Sequence, residues 1–246
     1  MGSRSGGELG RFVSRLRTAL FSKPGLNLLY GPPGSYKTTL LLGSMAGLRG
    51  FRRVYVASGK HRLYEYPRWL TVYLSGDIFA NFAITLALYQ MAPREAEPLA
   101  VAYDTLVADY AAARAFLRWR AVAKVMATVL AVLRDLADEY SARVVVVSLP
   151  RVRSGVPVFW GLISRFVDGA VSLSVEGERL IARFKDHELN VVAEDSVGVE
   201  TLLDEVPGGP LEWAMRERGC EGAPGLRPSG ADTEGDGSKG GQGPGR

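Results

Sequence analysis

The segment Gly31-Pro32-Pro33-Gly34-Ser35-Tyr36-Lys37-Thr38-Thr39 constrains the fold of this chain more than any other. Before it, Gly25 to Tyr30 has the length and apolar content of a buried strand. After it, Thr38 to Leu48 has helical periodicity. A strand that passes through a short Gly/Pro loop into a helix N-terminus lets backbone N–H groups curl around phosphate oxygens, where the helix dipole already favours an anion. In that setting Lys37 reaches β- and γ-phosphates and the Thr38 hydroxyl is a ligand for Mg²⁺. The G-x-x-x-x-G-K-[ST] pattern is met at Gly31, Lys37 and Thr38 and broken at Tyr36, where it has glycine. If the position requires φ > 0, tyrosine costs about 1–2 kcal/mol there. If it does not, the ring is free to lie over a nucleotide or to pack outward. The sequence leaves both open.

A second element belongs with such a loop: an apolar strand ending in a carboxylate that supports the metal. Leu99-Ala100-Val101-Ala102-Tyr103-Asp104 has that form, and Asp104 is the candidate, a capping role for the next turn being the alternative. Around these two segments the chain alternates strand-like and helix-like runs. Arg53 to Ala57 reads as a strand, Ile78 to Met91 as a buried helix, and Ala111 to Tyr140 as a long amphipathic helix broken near its start. Val144 to Val147 is a run of four valines, the mark of a strand buried on both faces. Val167–Leu173, Arg179–Phe184 and Asn190–Ala193 follow as short strands, with Glu176-Gly177-Glu178 as a hairpin turn. Strand–helix alternation that gives way to closely spaced strands implies an α/β domain. Its sheet is expected to be mostly parallel and flanked by helices, with antiparallel strands at the C-terminal end.

Of 246 residues, 29 are glycine, and ten of these fall in residues 219–246, which hold one large aliphatic residue and no aromatic. That segment is expected to be a disordered tail. Residues 23–218 then form one nucleotide-binding domain, preceded by an amphipathic helix in residues 1–22. In that helix Leu9, Phe12, Val13, Leu16 and Leu20 share a face suited to docking on the body or on a partner. The net charge is +4, and the tail's three basic and four acidic residues leave +5 on the remainder, which permits an anionic partner without requiring one. The single cysteine, Cys220, excludes a disulfide-built scaffold. No signal-like leader and no uncharged 18-residue apolar run are present, so the expectation is a soluble cytoplasmic protein without a membrane partner.

Tyr30 to Thr38 resembles the ATP loop of the RecA superfamily, and most closely that of the archaeal RadA/RadB recombinase paralogues. Arg53 to Ser58 is similar to that family's second strand, and Asp104-Thr105 stands where the family has Asp-Ser. Ala142 to Ser148 is similar to the strand before its second DNA loop, and Phe166–Ala170 with Arg179–His187 to its closing strands. The resemblance spans about residues 25–200 and implies a RecA-like P-loop core that binds ATP and Mg²⁺ and assists DNA recombination or repair. It also implies single-stranded DNA, a recombinase partner or copies of the chain itself as binding partners. It places Gly31, Pro32, Pro33, Gly34, Ser35, Tyr36, Lys37, Thr38 and Thr39 on the nucleotide, with Thr38 and Asp104 at the metal. Lys185 is implied to reach the γ-phosphate of a neighbouring subunit, and Arg151 and Arg153 to contact DNA.

The chain also departs from the family. Ser58-Gly59-Lys60 follows the second strand where the family has its catalytic glutamate, the nearest acid being Glu65. Ser148-Leu149-Pro150 replaces Thr-Asn-Gln. Loss of a positioned base costs about 10²–10⁴ in rate, so slow hydrolysis is expected. A non-catalytic partner subunit and a KaiC-like signalling ATPase without a DNA role are the other readings. Independently of the family, two arginines at a sheet edge suit phosphate contact. Arg114, Arg118, Arg120 and Lys124, interleaved with Phe116 and Trp119, form a second basic stretch or a solvated face. His61 and His187 lack metal-ligand company.

Overall fold

The computed structural model describes residues 6–58, 67–94 and 96–205. The expected tail, Cys220, His61 and Glu65 lie outside these residues. The elements, in order, are α1 (Gly6–Phe21), β1 (Gly25–Tyr30), α2 (Lys37–Ala46), β2 (Arg52–Ser58), β3 (Leu70–Ser75), α3 (Ile78–Met91), β4 (Leu99–Asp104) and α4 (Leu106–Ala113). They continue with α5 (Trp119–Tyr140), β5 (Arg143–Ser148), α6 (Trp160–Ile163), β6 (Gly169–Glu176), β7 (Arg179–Lys185), β8 (Val191–Gly198) and α7 (Val199–Glu205).

The eight strands form one sheet in the order β3-β2-β4-β5-β1-β6-β7-β8. The pairs from β3 through β6 are parallel, and β6–β7 and β7–β8 are antiparallel. The α/β architecture with an antiparallel extension is thus as the alternation of elements implied.

Side chains one residue apart point to opposite faces of a strand, and both faces of this sheet are covered. Val145 and Val147 join Leu29, Tyr55 and Ala102 in a core with α1 and α2. Val144 and Val146 join Leu28, Tyr30, Val101 and Tyr103 in a second core with α3, α4 and α5. All four valines are fully buried.

α1 docks on the body rather than standing free. It packs against α2, β5 and β8, and Leu9, Phe12, Val13, Leu16 and Leu20 are all buried. Arg17 reaches from α1 to the end of α2, its Nε donating to the Ser44 carbonyl at 2.9 Å. The buried Arg53 donates from Nη1 to the Ala46 carbonyl at 3.2 Å. Two guanidinium groups therefore satisfy carbonyls at the C-terminal, negative end of α2.

One expectation needs correction and one needs a shifted boundary. Ile78–Met91 is a helix with those bounds, but only one stripe of it is buried: Ile78, Asn81, Thr85 and Leu88. Phe79 is 64% exposed. The helix is apolar over most of its surface, with Asn81, Thr85 and Gln90 as exceptions, so apolar spacing alone does not show which side faces inward. The inward side proves to be the one with polar groups, because Tyr103 Oη donates to Asn81 Oδ1 at 2.7 Å across the core. The long helix ending at Tyr140 and its break near the start are as expected, but the helical run starts earlier. α4 already begins at Leu106, and a turn through Phe116 and Leu117 separates it from α5. β3, α6 and α7 are elements additional to those expected from the sequence.

Candidate functional site

β1 is where the sheet changes direction. The chain leaves it through α2 toward β2 on one side and later returns from β5 through α6 to β6 on the other. In open parallel sheets, ligands bind beyond the C-terminal strand ends at such a point. The loop Gly31 to Tyr36 lies there, and a cleft of about 320 Å³ is lined by Gly34, Ser35, Tyr36, Lys37, Thr38 and Thr39.

The loop's backbone depends on particular residues. A Cβ at Gly31 would stand 2.4 Å from the Leu173 carbonyl oxygen and 2.6 Å from Ser35 Oγ, so no larger side chain fits without a shift. Gly34 has φ +80°. Ser35 is buried and closes the turn through its hydroxyl, which donates to the Pro32 carbonyl at 2.8 Å.

Tyr36 answers the question its sequence left open. It has φ 56° and ψ 21°, in the left-handed region, and its half-buried ring packs against the core beside α2. This residue therefore occupies a glycine-like conformation. The replacements Tyr36→Ala and Tyr36→Gly both remove the ring, and only alanine keeps the left-handed penalty. The glycine variant is expected to be the more stable by about 1 kcal/mol, read from urea midpoints; with ordinary φ alanine would lead by ~0.5–1 kcal/mol.

Tyr36 is also the N-cap of α2 and provides no side-chain hydrogen bond to it. The first N–H groups of a helix lack intrahelical partners, so they face the cleft with the dipole's positive end. Lys37 adds a full charge. Its ammonium donates to the Gly31 and Pro32 carbonyls, both at 2.7 Å, and to Ser35 Oγ at 3.2 Å. Burial holds its pKa below the ordinary lysine value, while the charge of Asp104 acts the other way.

On the neighbouring residue, Thr38 Oγ1 donates to Asp104 Oδ2 at 2.6 Å. The loop and the end of β4, 66 positions apart in sequence, therefore meet in one site. Tyr55, which sequence reasoning did not single out, donates from Oη to the same Oδ2 at 2.8 Å. The register Ala57↔Asp104 places Tyr55 two residues back on the same face of β2, so pairing the two strands in sequence would have exposed it. Ser58, at the end of β2, is hydrogen-bonded to the backbone of Thr105, accepting from its N–H at 2.9 Å and donating to its carbonyl. Thr105 Oγ1 is buried there without a partner among the described residues.

The donors at this site are hard oxygens, one carboxylate and one hydroxyl. Among the described residues no group of three or more His, Cys, Asp or Glu side chains could hold a metal. A carboxylate and a hydroxyl are oxygens of the kind that Mg²⁺ takes from a protein, water and substrate phosphates filling its other positions.

Lys185 is placed apart from the cleft lining. It pairs with Ala170, level with Leu28, and its Nζ donates to Tyr30 Oη at 2.8 Å. Arg151 and Arg153 lie on the exposed tip of a small hairpin after β5, tied by the Pro150↔Pro157 bridge and by Arg151 N–H to the Val156 carbonyl at 2.8 Å. Val152 between them is fully exposed. At the base of that hairpin Phe159 stacks on Trp119, with ring centroids 5.1 Å apart, and Arg114 lies over the other ring system at 5.6 Å. The start of α5 and the chain just after the hairpin thus meet in an aromatic stack.

Among the described residues no helix is long and apolar enough to cross a membrane. No protein-family model matches the chain, and no curated protein matches its sequence.

Proposed function

We propose that this protein binds Mg-ATP on Gly31 to Thr39 and uses the bound nucleotide to assist DNA recombination or repair, in the manner of the RecA-like paralogues it resembles. The observation that carries the reading is the convergence of three features on one cleft. A helix N-terminus has no side-chain cap, a lysine ammonium is surrounded by neutral oxygens, and a Thr–Asp pair stands beside it. The first two attract an anion and the third attracts a hard dication, a combination that suits a nucleoside triphosphate with its metal. Thr38 and Asp104 would hold Mg²⁺, which neutralises developing phosphate charge when bound. Lys37 would exchange its carbonyl partners for phosphate oxygens. Strands β2, β4 and β5 end in Ser58, Asp104 and Ser148, so Asp104 is the one carboxylate among those ends. Hydroxyls orient water but are poor bases near pH 7, and this supports slow hydrolysis.

The DNA surface in this proposal is the hairpin tip with Arg151 and Arg153 beside the Trp119–Phe159 stack. Arginines with exposed aromatics suit a single strand, whose phosphates and bases need different partners. Phe116, three residues before Trp119 in sequence and 88% exposed, is a third aromatic for this surface.

Titration with Mg-ATP, with and without single-stranded DNA, following hydrolysis and particle mass, tests the proposal. ATP is expected to bind, to turn over slowly, and to raise DNA affinity or assembly. Replacing Arg151 and Arg153 together by alanine is expected to lower the slope of log affinity against log salt by about 1.4. An unchanged slope would remove the hairpin from the interface. ATP binding without any DNA response would favour a signalling ATPase, and no ATP binding would leave a nucleotide-independent partner subunit.

A further inference from the structure

We infer that Tyr55 is a positioning residue for the metal-bearing carboxylate of Asp104. The inference rests on the reading of the cleft as a Mg-nucleotide site. Asp104 is 2% exposed, and its hydrogen bonds are unevenly divided. Oδ2 accepts two, from Thr38 Oγ1 at 2.6 Å and Tyr55 Oη at 2.8 Å, and Oδ1 accepts none among the described residues. The torsion that turns a carboxylate is broad and nearly two-fold, so without two donors fixing one oxygen the group samples both orientations. With them, one oxygen is committed to the protein and the other is kept for the metal or its water.

Of the two donors, Thr38 is itself proposed as a metal ligand. Tyr55 is the one whose place does not depend on the metal. It is held rigidly, being 1% exposed in the core under α2 and in register beside Ala102 of β4. A hydrogen-bond donor that holds a metal-binding carboxylate in place typically changes metal affinity by ~10–100-fold when removed.

Tyr103 gives the comparison that separates positioning from mere packing. It is also a fully buried tyrosine, on the adjacent strand, but its ring is on the opposite face and its hydroxyl bonds Asn81 at 2.7 Å. Tyr55→Phe and Tyr103→Phe each delete one buried hydroxyl, and only the first touches the site.

The experiment measures ATP affinity without metal, then Mg²⁺ and Mn²⁺ affinity in the presence of ATP, with Mn²⁺ followed by its paramagnetic resonance signal. Thermal unfolding is recorded alongside. Tyr55→Phe is expected to weaken either metal about ten-fold and to leave metal-free ATP binding unchanged, whereas Tyr103→Phe leaves both unchanged. Equal metal affinity in wild type and Tyr55→Phe overturns the inference, as does equal weakening by the two variants. Failure of wild type to bind ATP with or without metal removes the nucleotide reading itself, and the inference with it, which is a distinct result. If Tyr55→Phe does not fold, Tyr55→Phe combined with Asp104→Asn decides. Recovery of folding assigns the hydroxyl's action to the carboxylate charge, and no recovery overturns it.

Discussion

Lys37→Met is expected to weaken ATP binding about a hundred-fold or more while leaving the fold at least as stable as wild type. Such a loss corresponds to about 2.7 kcal/mol, the range of one or two charge-assisted hydrogen bonds. The stability half of the prediction comes from the pKa direction. Burial lowers the Lys37 pKa, so the folded state disfavours the charged form relative to the unfolded chain. Below its lowered folded value the lysine is charged in both states, and its burial then opposes folding. The opposition is relieved only as pH rises through the lowered value toward the ordinary one. Methionine preserves the aliphatic stem and removes the buried charge, along with bonds to the Gly31 and Pro32 carbonyls. Calorimetric titration with ATP and urea denaturation at neutral pH check the two halves. A variant that loses stability but keeps ATP affinity would make Lys37 a tie that closes the loop rather than a phosphate ligand.

The sequence showed more of the scaffold than of the site's geometry. In α1 burial imposes a period, so apolar spacing carries the element and its inward side together; in β5 both faces are buried, so the four valines mark the strand without a period. β3 escaped notice because it is an edge strand: Thr71, Val72 and Tyr73 are only half buried and Leu74 is exposed, so its pattern is blurred. The break between α4 and α5 was legible, but the start of α4 at Leu106 was not, because Leu106 to Tyr110 runs on from β4 with neither glycine nor proline between them. At the site, the residues Lys37, Thr38 and Asp104 could be named from their types and order. The backbone angle of Tyr36 could not, because a tyrosine gives no sign of φ > 0. The Tyr55–Asp104 bond depends on which strand lies beside β4 and in what register, a non-local fact that no local period encodes. Lys185 shows the same limit, since its partner Tyr30 is 155 positions away.

Leu16→Ala is expected to produce the opposite phenotype to Lys37→Met: a loss of about 3 kcal/mol in stability with ATP affinity retained. Leu16 is fully buried in the core that α1 shares with α2, and a leucine truncated at such a place costs about 2–5 kcal/mol through lost transfer energy and the cavity left behind. Arg15, one residue earlier, is the control. Its ion pair with Asp195 at 3.1 Å has an arginine side chain 67% exposed, and exposed pairs of this kind are worth about 0–1 kcal/mol. Arg15→Ala is therefore expected to be nearly silent. The distinction matters for function because α1 lies against α2, the helix whose first turn forms the cleft, and Arg17 of α1 holds the Ser44 carbonyl near the far end of α2. α1 thus supports α2, and through it the site, from behind. Mass action makes this measurable: a ligand at a hundred times its dissociation constant stabilises the native state by about 2.7 kcal/mol. Mg-ATP should then restore most of what Leu16→Ala loses and should do nothing for Lys37→Met. Denaturation of both variants with and without Mg-ATP gives four midpoints. A Leu16→Ala midpoint that does not move with ATP would mean that the cleft requires an intact α1 core in order to form.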